Sequence, residues 1–262
     1  LLGGDCLGVP GGKGANQALG LHRLGTPVRL LARVGRDFYG QRVQEHLRAQ
    51  GLDLSDLTED PEAPTGVALI TLDRLGTRSI VVAPGANSTL AERHVDAFLQ
   101  DAGPGGTVVA QLETPVPTVA HLLRQARRHD LRTVLNASPA VSFPLELLRL
   151  VDVLVLNQAE LHAISGRSAQ HLQTATAAAE HLLEHGASVV LVSMGLRGVL
   201  MATASPSGAA ETTFVPGYKV PVKDSNVASS AFIAGLVHRL GGGGQLEPEQ
   251  LPVFRLEEEE GR

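Results

Sequence analysis

The strongest constraint on the fold is a regular alternation between short apolar runs and amphipathic segments from residue 107 onward. Apolar runs of Val, Leu and Ala predict buried strands, whereas apolar residues spaced three or four apart predict helices. The predicted strands lie at 107–112, 133–136, 153–157, 188–193, 199–203 and 212–216, and the predicted helices at 116–129, 144–150, 159–164, 169–185 and 228–240. This alternation predicts an α/β fold of three layers, in which helices cover both faces of a mostly parallel central sheet.

The first part of the chain has a more varied pattern, with β-rich runs on either side of turn-forming residues. The predicted elements are helices at 15–24 and 38–50, a strand at 28–34, and a hairpin of strands at 67–72 and 79–83. We therefore expect one α/β domain over residues 1–240 that carries the hairpin at 67–83. Residues 241–262 form a Gly-rich link and an acidic tail without a core-forming pattern.

Composition and charge exclude several classes of protein. The formal net charge is −5, which offers no basic surface for nucleic acid. The single cysteine, Cys6, allows no internal disulfide and is typical of a reducing compartment. No apolar run reaches membrane-spanning length, and the N-terminus lacks a signal-peptide pattern. We therefore expect a cytoplasmic protein that binds neither membranes nor nucleic acid.

The sharpest local motif is the Gly-rich segment at residues 10–17, which leads directly into a predicted helix. Glycines allow the backbone to approach a ligand closely, and the start of a helix offers N–H groups without helical partners. Lys13 and Asn16 add side chains that can bind hydroxyl groups, which suits a sugar. A simple turn before a helix is the alternative, although it explains Lys13 and Asn16 poorly. The spacing differs from that of a Walker phosphate loop.

Eight segments, in order, resemble those of the ribokinase-like (pfkB) carbohydrate kinase family over residues 8–240. The segments lie at 11–17, 34–40, 65–66, 84–87, 111–113, 136–140, 157–160 and 193–198. The resemblance implies a ribokinase-like α/β/α fold with a small β lid at the hairpin. It also implies an ATP-dependent kinase that phosphorylates a sugar hydroxyl, with D-ribose converted to D-ribose 5-phosphate as the favoured reaction.

The resemblance implies roles for particular residues. The residues implied to hold the sugar are Gly12, Lys13, Asn16 and Glu113, and those implied to line the ATP site are Asn157, Ser193, Gly195 and Gly198. Glu160 is implied to organise Mg²⁺ through water, although a Glu in the first turn of a helix can simply favour the helix dipole. The resemblance further implies homodimer formation through the lid.

The chain departs from the family where the catalytic base is expected. Ser230 stands at the position of the family's catalytic Asp, and a serine hydroxyl is a very weak base near neutral pH. The preceding segment, which forms an anion hole in the family, is altered here to Val227, Ala228 and Ser229. Asp224 is retained, and the resemblance implies that it helps to bind a monovalent cation such as K⁺.

The family pattern also includes a first strand that would precede Leu1 and further helices beyond Leu240, so we expect a truncated member of the family. Three interpretations follow. The chain is an active sugar kinase, a catalytically inactive homologue that binds a sugar or a protein partner, or a truncated product that does not fold stably.

Overall fold

The computed structural model describes residues 7–72, 78–204, 209–217 and 225–241, together with 246, 248 and 251. It describes Leu72, Arg78 and residues 225–227 by their backbone alone. The chain divides into two compact units, Leu1–Thr89 and Leu90–Arg262. The predicted single domain over residues 1–240 therefore stays a prediction. Most of the predicted link and tail lies outside the described residues.

The first unit combines two helices, a short parallel sheet and a hairpin. Its elements are α1 (Lys13–Arg23), β1 (Ala32–Gly35), α2 (Phe38–Ala49), β2 (Leu57–Asp60), β3 (Val67–Leu72), β4 (Arg78–Ala83) and a 3₁₀ helix (Gly85–Thr89). Strands β1 and β2 pair in parallel, with Val34 opposite Glu59. A small core of Ala18, Leu19, Leu30, Leu47 and Leu52 joins the two helices to the connecting segments.

The predicted hairpin is confirmed, because β3 and β4 pair in antiparallel register with Ile70 opposite Ile80. Its turn lies outside the described residues. The predicted strand at 28–34 is corrected to Ala32–Gly35, since the ladder with β2 begins at the Ala32–Leu57 pair. Strand β2 itself was not predicted.

The second unit is built on a six-stranded sheet. Its elements are α3 (Glu92–Leu99), β5 (Thr107–Gln111), α4 (Val116–Arg128), β6 (Arg132–Asn136), a 3₁₀ helix (Leu145–Leu150), β7 (Val153–Asn157), α5 (Gln158–Ser165), α6 (Leu172–Glu184), β8 (Val189–Ser193), a 3₁₀ helix (Gly195–Arg197), β9 (Gly198–Ala204), β10 (Ala210–Pro216) and α7 (Ser225–Leu240). The strand order is β10-β9-β8-β7-β6-β5. Strands β5 to β8 are parallel, whereas β9 and β10 join in antiparallel fashion, so the predicted mostly parallel sheet is confirmed.

Strand β7, inside the sheet of the second unit, is buried on both faces. Leu154 and Leu156 of β7 belong to the main core with residues of α4, α5 and α6. Their neighbours Val153 and Val155 point to the opposite face and are also buried, at 3% and 4% exposure. Burial on both faces explains why β7 is a continuous apolar run.

Several helices of this unit differ from expectation. Helix α7 begins at Ser225 instead of the predicted residue 228, and the helix predicted at 144–150 is a 3₁₀ helix over Leu145–Leu150. Helix α3 was not predicted, and α6 begins at Leu172 instead of the predicted residue 169. The later start has a local cause, because the Gln158 side chain donates hydrogen bonds to the carbonyls of Ala169 and Gln170. Among the described residues, no helix is long and apolar enough to cross a membrane.

Candidate functional site

The Gly-rich motif lies at the start of α1, as its sequence predicts. Gly12 is the cap residue with φ near 120°, in the region that favours glycine, and its carbonyl accepts the hydrogen bond from the Asn16 N–H at 2.9 Å. The space in which a Cβ of Gly11 or Gly12 would lie is open. Lys13 and Asn16 are half-buried and three residues apart, so both side chains lie on the same face of α1. The motif therefore presents two hydrogen-bonding side chains beside an open, glycine-lined turn.

In the second unit, the candidate residues of three strands meet at the carboxyl edge of the parallel sheet. Asn157, at the end of β7, lies opposite Ser193, at the end of β8. Glu113 follows the end of β5, where Leu112 N donates to Ser138 O at 2.9 Å. Ligands of open α/β sheets bind beyond this edge. The structure thus brings Glu113, Asn157 and Ser193 to one edge, as their positions in the sequence predict.

Asn157 and Glu160 form a reciprocal cap on α5. The Asn157 Oδ1 accepts from the Glu160 N–H, and the Glu160 Oε2 accepts from the Asn157 N–H, both at 2.9 Å. Glu160 is only 8% exposed, whereas Asn157 is exposed. Glu160 therefore does stabilise the first turn of α5, which was the alternative role predicted from the sequence. The same hydrogen bonds fix the position of its carboxylate.

The turn after β8 carries the two glycines implied in ATP binding. Gly195 is exposed and Gly198 is buried, and Met194 N donates to Gly198 O at 2.8 Å to close the turn. Between the glycines, the Arg197 guanidinium donates to the Gln158 Oε1 at 2.6 Å. Gln158 thereby links α5 to this turn. The sequence analysis did not identify Gln158 or Arg197. The available signal was Arg197 itself, a cationic residue between two glycines of a turn.

The altered segment lies within the start of α7. This helix begins at Ser225, and in any α-helix only the first four N–H groups lack a partner inside the helix. The N–H groups of Ser229 and Ser230 therefore belong to the helical ladder. Ala228 and Ser229 are exposed, whereas Ser230 is 2% exposed. The side chain of Val227 and the predicted cation residue Asp224 lie outside the described residues.

A buried charge network in the first unit was not predicted. The Asp60 Oδ2 accepts hydrogen bonds at 2.7 Å from the Arg33 guanidinium and from the Thr89 hydroxyl. Its Oδ1 accepts from the N–H groups of Glu62 and Ala63 at 2.9 and 2.8 Å. The bond from Ala63, followed by that from Thr89, holds the pKa of Asp60 far below its ordinary value. Asp60 is therefore an anion at physiological pH.

The residues implied for Mg²⁺ suit an ion held mainly by phosphates. Among the described residues, no group of three His, Cys, Asp or Glu side chains could form a metal cage. Glu160 offers one fixed carboxylate, and Mg²⁺ usually keeps several waters and binds through one or two carboxylates plus substrate phosphates. The donor set therefore fits a water-mediated contact rather than a dedicated protein site.

Comparison with known proteins shows which family the chain is similar to. The profile of the pfkB family carbohydrate kinases matches residues 7–248. A ribokinase of Staphylococcus aureus is 34% identical over 234 residues, which cover 88% of this chain and 74% of that protein. A bifunctional ribokinase/ribose-5-phosphate isomerase A of Fructilactobacillus sanfranciscensis is 32% identical over 230 residues, covering 88% of this chain and 42% of its own length.

The crystal structure of a ribokinase from Thermotoga maritima superimposes with a TM-score of 0.78 at 29% identity, covering 94% of this chain and 78% of that chain. The predicted ribokinase-like α/β fold is thereby confirmed. The match of the family profile to most of the chain and the similarity to these relatives lead to one conclusion. The chain belongs to the pfkB family of carbohydrate kinases.

Proposed function

We propose that this chain binds D-ribose and ATP and that its reaction is the phosphorylation of D-ribose to D-ribose 5-phosphate. The observation that carries the proposal is the open, glycine-lined turn at the start of α1, with Lys13 and Asn16 on one face. The relatives from Staphylococcus aureus and Thermotoga maritima, both named ribokinases, support ribose as the sugar.

In this proposal the sugar hydroxyls are bound by Gly12, Lys13, Asn16 and Glu113. A lysine ammonium and an asparagine amide can donate to hydroxyl oxygens, and the Glu113 carboxylate can accept from hydroxyl hydrogens. A site with both donors and acceptors discriminates strongly against sugars that lack a hydroxyl, because its own polar groups would then lose their partners. The proposed preference for ribose therefore rests on hydroxyl recognition.

The nucleotide is assigned to the edge formed by Asn157, Ser193, Gly195 and Gly198. Glycine backbone can approach the nucleotide closely, and the side chains of Asn157 and Ser193 can bond phosphate or ribose oxygens. Mg²⁺, when bound, would neutralise charge on the phosphates. Glu160, held in place by the Asn157 N–H, would accept hydrogen bonds from the waters of that ion. A role of Asp224 with K⁺ also stays a proposal.

A specific observation favours a second candidate, a catalytically inactive homologue that binds a sugar or a protein partner. Ser230 is 2% exposed, and it follows a segment whose later N–H groups lie in the ladder of α7. A hydroxyl at this position supplies no carboxylate to remove the proton from the sugar. General-base catalysis is commonly worth ~10²–10⁴-fold in rate. Turnover by this candidate is therefore absent, while sugar binding is retained.

Two measurements on the same chain separate the candidates. Isothermal calorimetry measures the binding of ribose and of ATP, and a coupled assay measures ADP that forms only with ribose. Ribose binding with ribose-dependent ADP supports the kinase. Ribose binding without ADP supports the inactive homologue. The absence of ribose binding contradicts the proposed sugar site.

We further propose that the hairpin mediates homodimer formation. Its apolar side chains are exposed on both faces of the ribbon, including Leu69 at 55% and Val81 at 66%. A contiguous exposed apolar surface of this kind often marks a protein interface. The partner in this proposal is a second copy of the same chain.

A further inference from the structure

The position of the β3–β4 hairpin depends on how its two ends are held. Both faces of the ribbon carry exposed apolar side chains, with Ile70 at 46% and Ile80 at 50% exposure, besides Leu69 and Val81. An isolated two-stranded hairpin is at best marginally stable in water. The contacts at the base of the hairpin are therefore decisive for where the strands lie.

The chain approaches β3 through Thr65, which is bound by one carboxylate. The Asp37 Oδ2 accepts from the Thr65 N–H at 2.8 Å, and the Asp37 Oδ1 accepts from the Thr65 hydroxyl at 2.7 Å. The same Oδ1 accepts from the Gly40 N–H at 2.8 Å and so caps α2. Asp37 thus joins the start of the hairpin to the first turn of a helix.

Thr65 is also bound to the sheet. Its hydroxyl oxygen accepts from the Gly35 N–H, at the end of β1, at 2.9 Å. A Cβ at Gly40 would collide with the Gly35 carbonyl and with the Thr65 hydroxyl, so only glycine permits this packing. Thr65 is 8% exposed, and its bonds are therefore protected from water.

The other end of the hairpin is held through the same base. After β4, the Ala86 N–H donates to the Pro64 carbonyl at 2.7 Å. The Thr89 hydroxyl, at the end of the following 3₁₀ helix, donates to the Asp60 Oδ2 at 2.7 Å. Asp60 also binds the N–H groups of Glu62 and Ala63, just before the segment that leads to β3. Both ends are therefore tied to carboxylates of the first unit.

We propose that Asp37 is a positioning residue for the hairpin, acting through Thr65, and that Asp60 supports the same base. The carboxylate suits this role because three donors converge on Asp37, and a carboxylate accepts at both oxygens without presenting a donor. The consequence for ribose affinity rests on the proposed function, in which the hairpin is the lid of the sugar site. The anchoring itself does not depend on that function.

The test measures the hairpin position directly, in the entire chain of 262 residues. Nitroxide labels at Ser79→Cys in β4 and Gln41→Cys in α2, in a Cys6→Ser background, report the label distance by pulsed electron resonance. We expect a narrow distance distribution in the parent chain.

Asp37→Asn, which turns an amide NH₂ towards the donors, and Thr65→Val should broaden the distribution. Each should weaken ribose binding about tenfold, as expected for the loss of a charge-assisted hydrogen bond. Thr65→Ser, which keeps the hydroxyl, should restore both readouts.

The control variant is Asp56→Asn, which removes an exposed pair with Arg29 in the same unit. It should leave the distance distribution and the ribose affinity unchanged. Distributions that stay narrow in both Asp37→Asn and Thr65→Val overturn the anchoring. If Asp37→Asn fails to fold, the comparison of the distance distributions of Thr65→Val and Thr65→Ser decides whether the anchoring is correct. A broadened distribution with unchanged ribose affinity overturns the link to sugar binding. If the parent chain binds no ribose, the proposed function fails, and the distance distribution still decides the anchoring.

Discussion

At the scale of single residues, Ser230 has the greatest consequence for the proposed chemistry. It lies in the sixth position of α7 and is almost fully buried. A serine there can satisfy its own hydroxyl within the helix, as buried serines commonly do. A carboxylate at the same place would need donors or a substrate hydroxyl to compensate for its burial. In the proposed inactive homologue, a hydroxyl that burial tolerates well thus stands in place of a charged group.

Restoring the family residues should restore catalysis. We expect Ser230→Asp, combined with Val227→Gly and Ser229→Gly, to raise ribose-dependent ADP formation by ~10²-fold or more, because a general base is regained. The glycines allow the start of α7 to present N–H groups to an anion. The coupled ADP assay measures the gain, and thermal unfolding checks that the variant is folded.

The matched control for this restoration is Ser230→Asn in the same double-glycine background. It has nearly the shape of Asp but no carboxylate, so its activity should stay at the level of the parent chain. Equal activity of the Asp and Asn variants would show that position 230 supplies no base.

Asp60 gives a prediction about acid stability. Its pKa is lowered in the folded chain, so its ionised form stabilises the fold at pH values above the ordinary Asp pKa of about 4. That contribution is lost as the pH falls towards the lowered folded-state pKa. Asp60→Asn should therefore have a lower unfolding midpoint than the parent chain near neutral pH, and the difference should shrink below about pH 4. Thermal unfolding across this pH range measures both, and a difference independent of pH contradicts the assignment.

At the scale of elements, the sequence predicts the bounds of a strand best where that strand is buried on both faces. The predicted bounds of β7 agree with Val153–Asn157, because an apolar run with a polar end specifies a buried parallel strand. Strand β2 has the sequence Leu-Thr-Glu-Asp, which has no such pattern. It forms through its parallel pairing with β1 and through the bond between Asp60 and Arg33, 27 residues apart. Local sequence does not encode such distant partners.

The candidate site also has a part that could be predicted from the sequence and a part that could not. Glu113, Asn157 and Ser193 were predictable at one edge, because the carboxyl ends of parallel strands coincide. The bond between Gln158 and Arg197 was not predictable, since it joins residues 39 positions apart and requires β7 and β8 to be neighbours. The helix predicted at 228–240 already includes residues 228 and 229, and the structure extends it back to Ser225, so that Val227 also lies in α7.

The hairpin carries the prediction that belongs to this scale. Val81 is 66% exposed and lies opposite Leu69, so Val81→Lys places a charge in the middle of the proposed dimer interface. We expect dimer dissociation to become easier by at least about tenfold, because burying an unpaired charge is costly. Sedimentation equilibrium measures the dissociation constant. Gln41→Lys is the control, since Gln41 is exposed in α2, outside the hairpin, and its substitution adds the same charge away from the proposed interface. A monomeric parent chain, or equal effects of the two variants, contradicts the proposed interface.

At the scale of the whole molecule, the family motifs are distributed over both compact units. Gly12, Lys13 and Asn16 belong to Leu1–Thr89, whereas Glu113 and the residues assigned to ATP belong to Leu90–Arg262. Each unit has a core of its own, formed in the first by residues such as Leu47 and in the second by residues such as Leu154. The proposed ligand residues of both units are therefore tested together only by binding measurements on the entire chain, and such measurements do not require the base whose replacement at position 230 is proposed.

The last prediction concerns stability in the presence of the sugar. A ligand that binds only the folded chain stabilises it by mass action, by about 2.7 kcal/mol at a concentration of 100 times Kd. Ribose should therefore raise the thermal midpoint of the parent chain, whether or not ADP forms. D-xylose, which differs in the orientation of one hydroxyl, should raise it less.

Lys13→Met should abolish the difference between the two sugars, because it removes a donor to the hydroxyls and keeps much of the side-chain volume. Sugars at high concentration also stabilise proteins through exclusion from the surface, without a specific site. Equal midpoints with ribose and xylose in the parent chain would assign the effect to exclusion and would contradict the proposed ribose site.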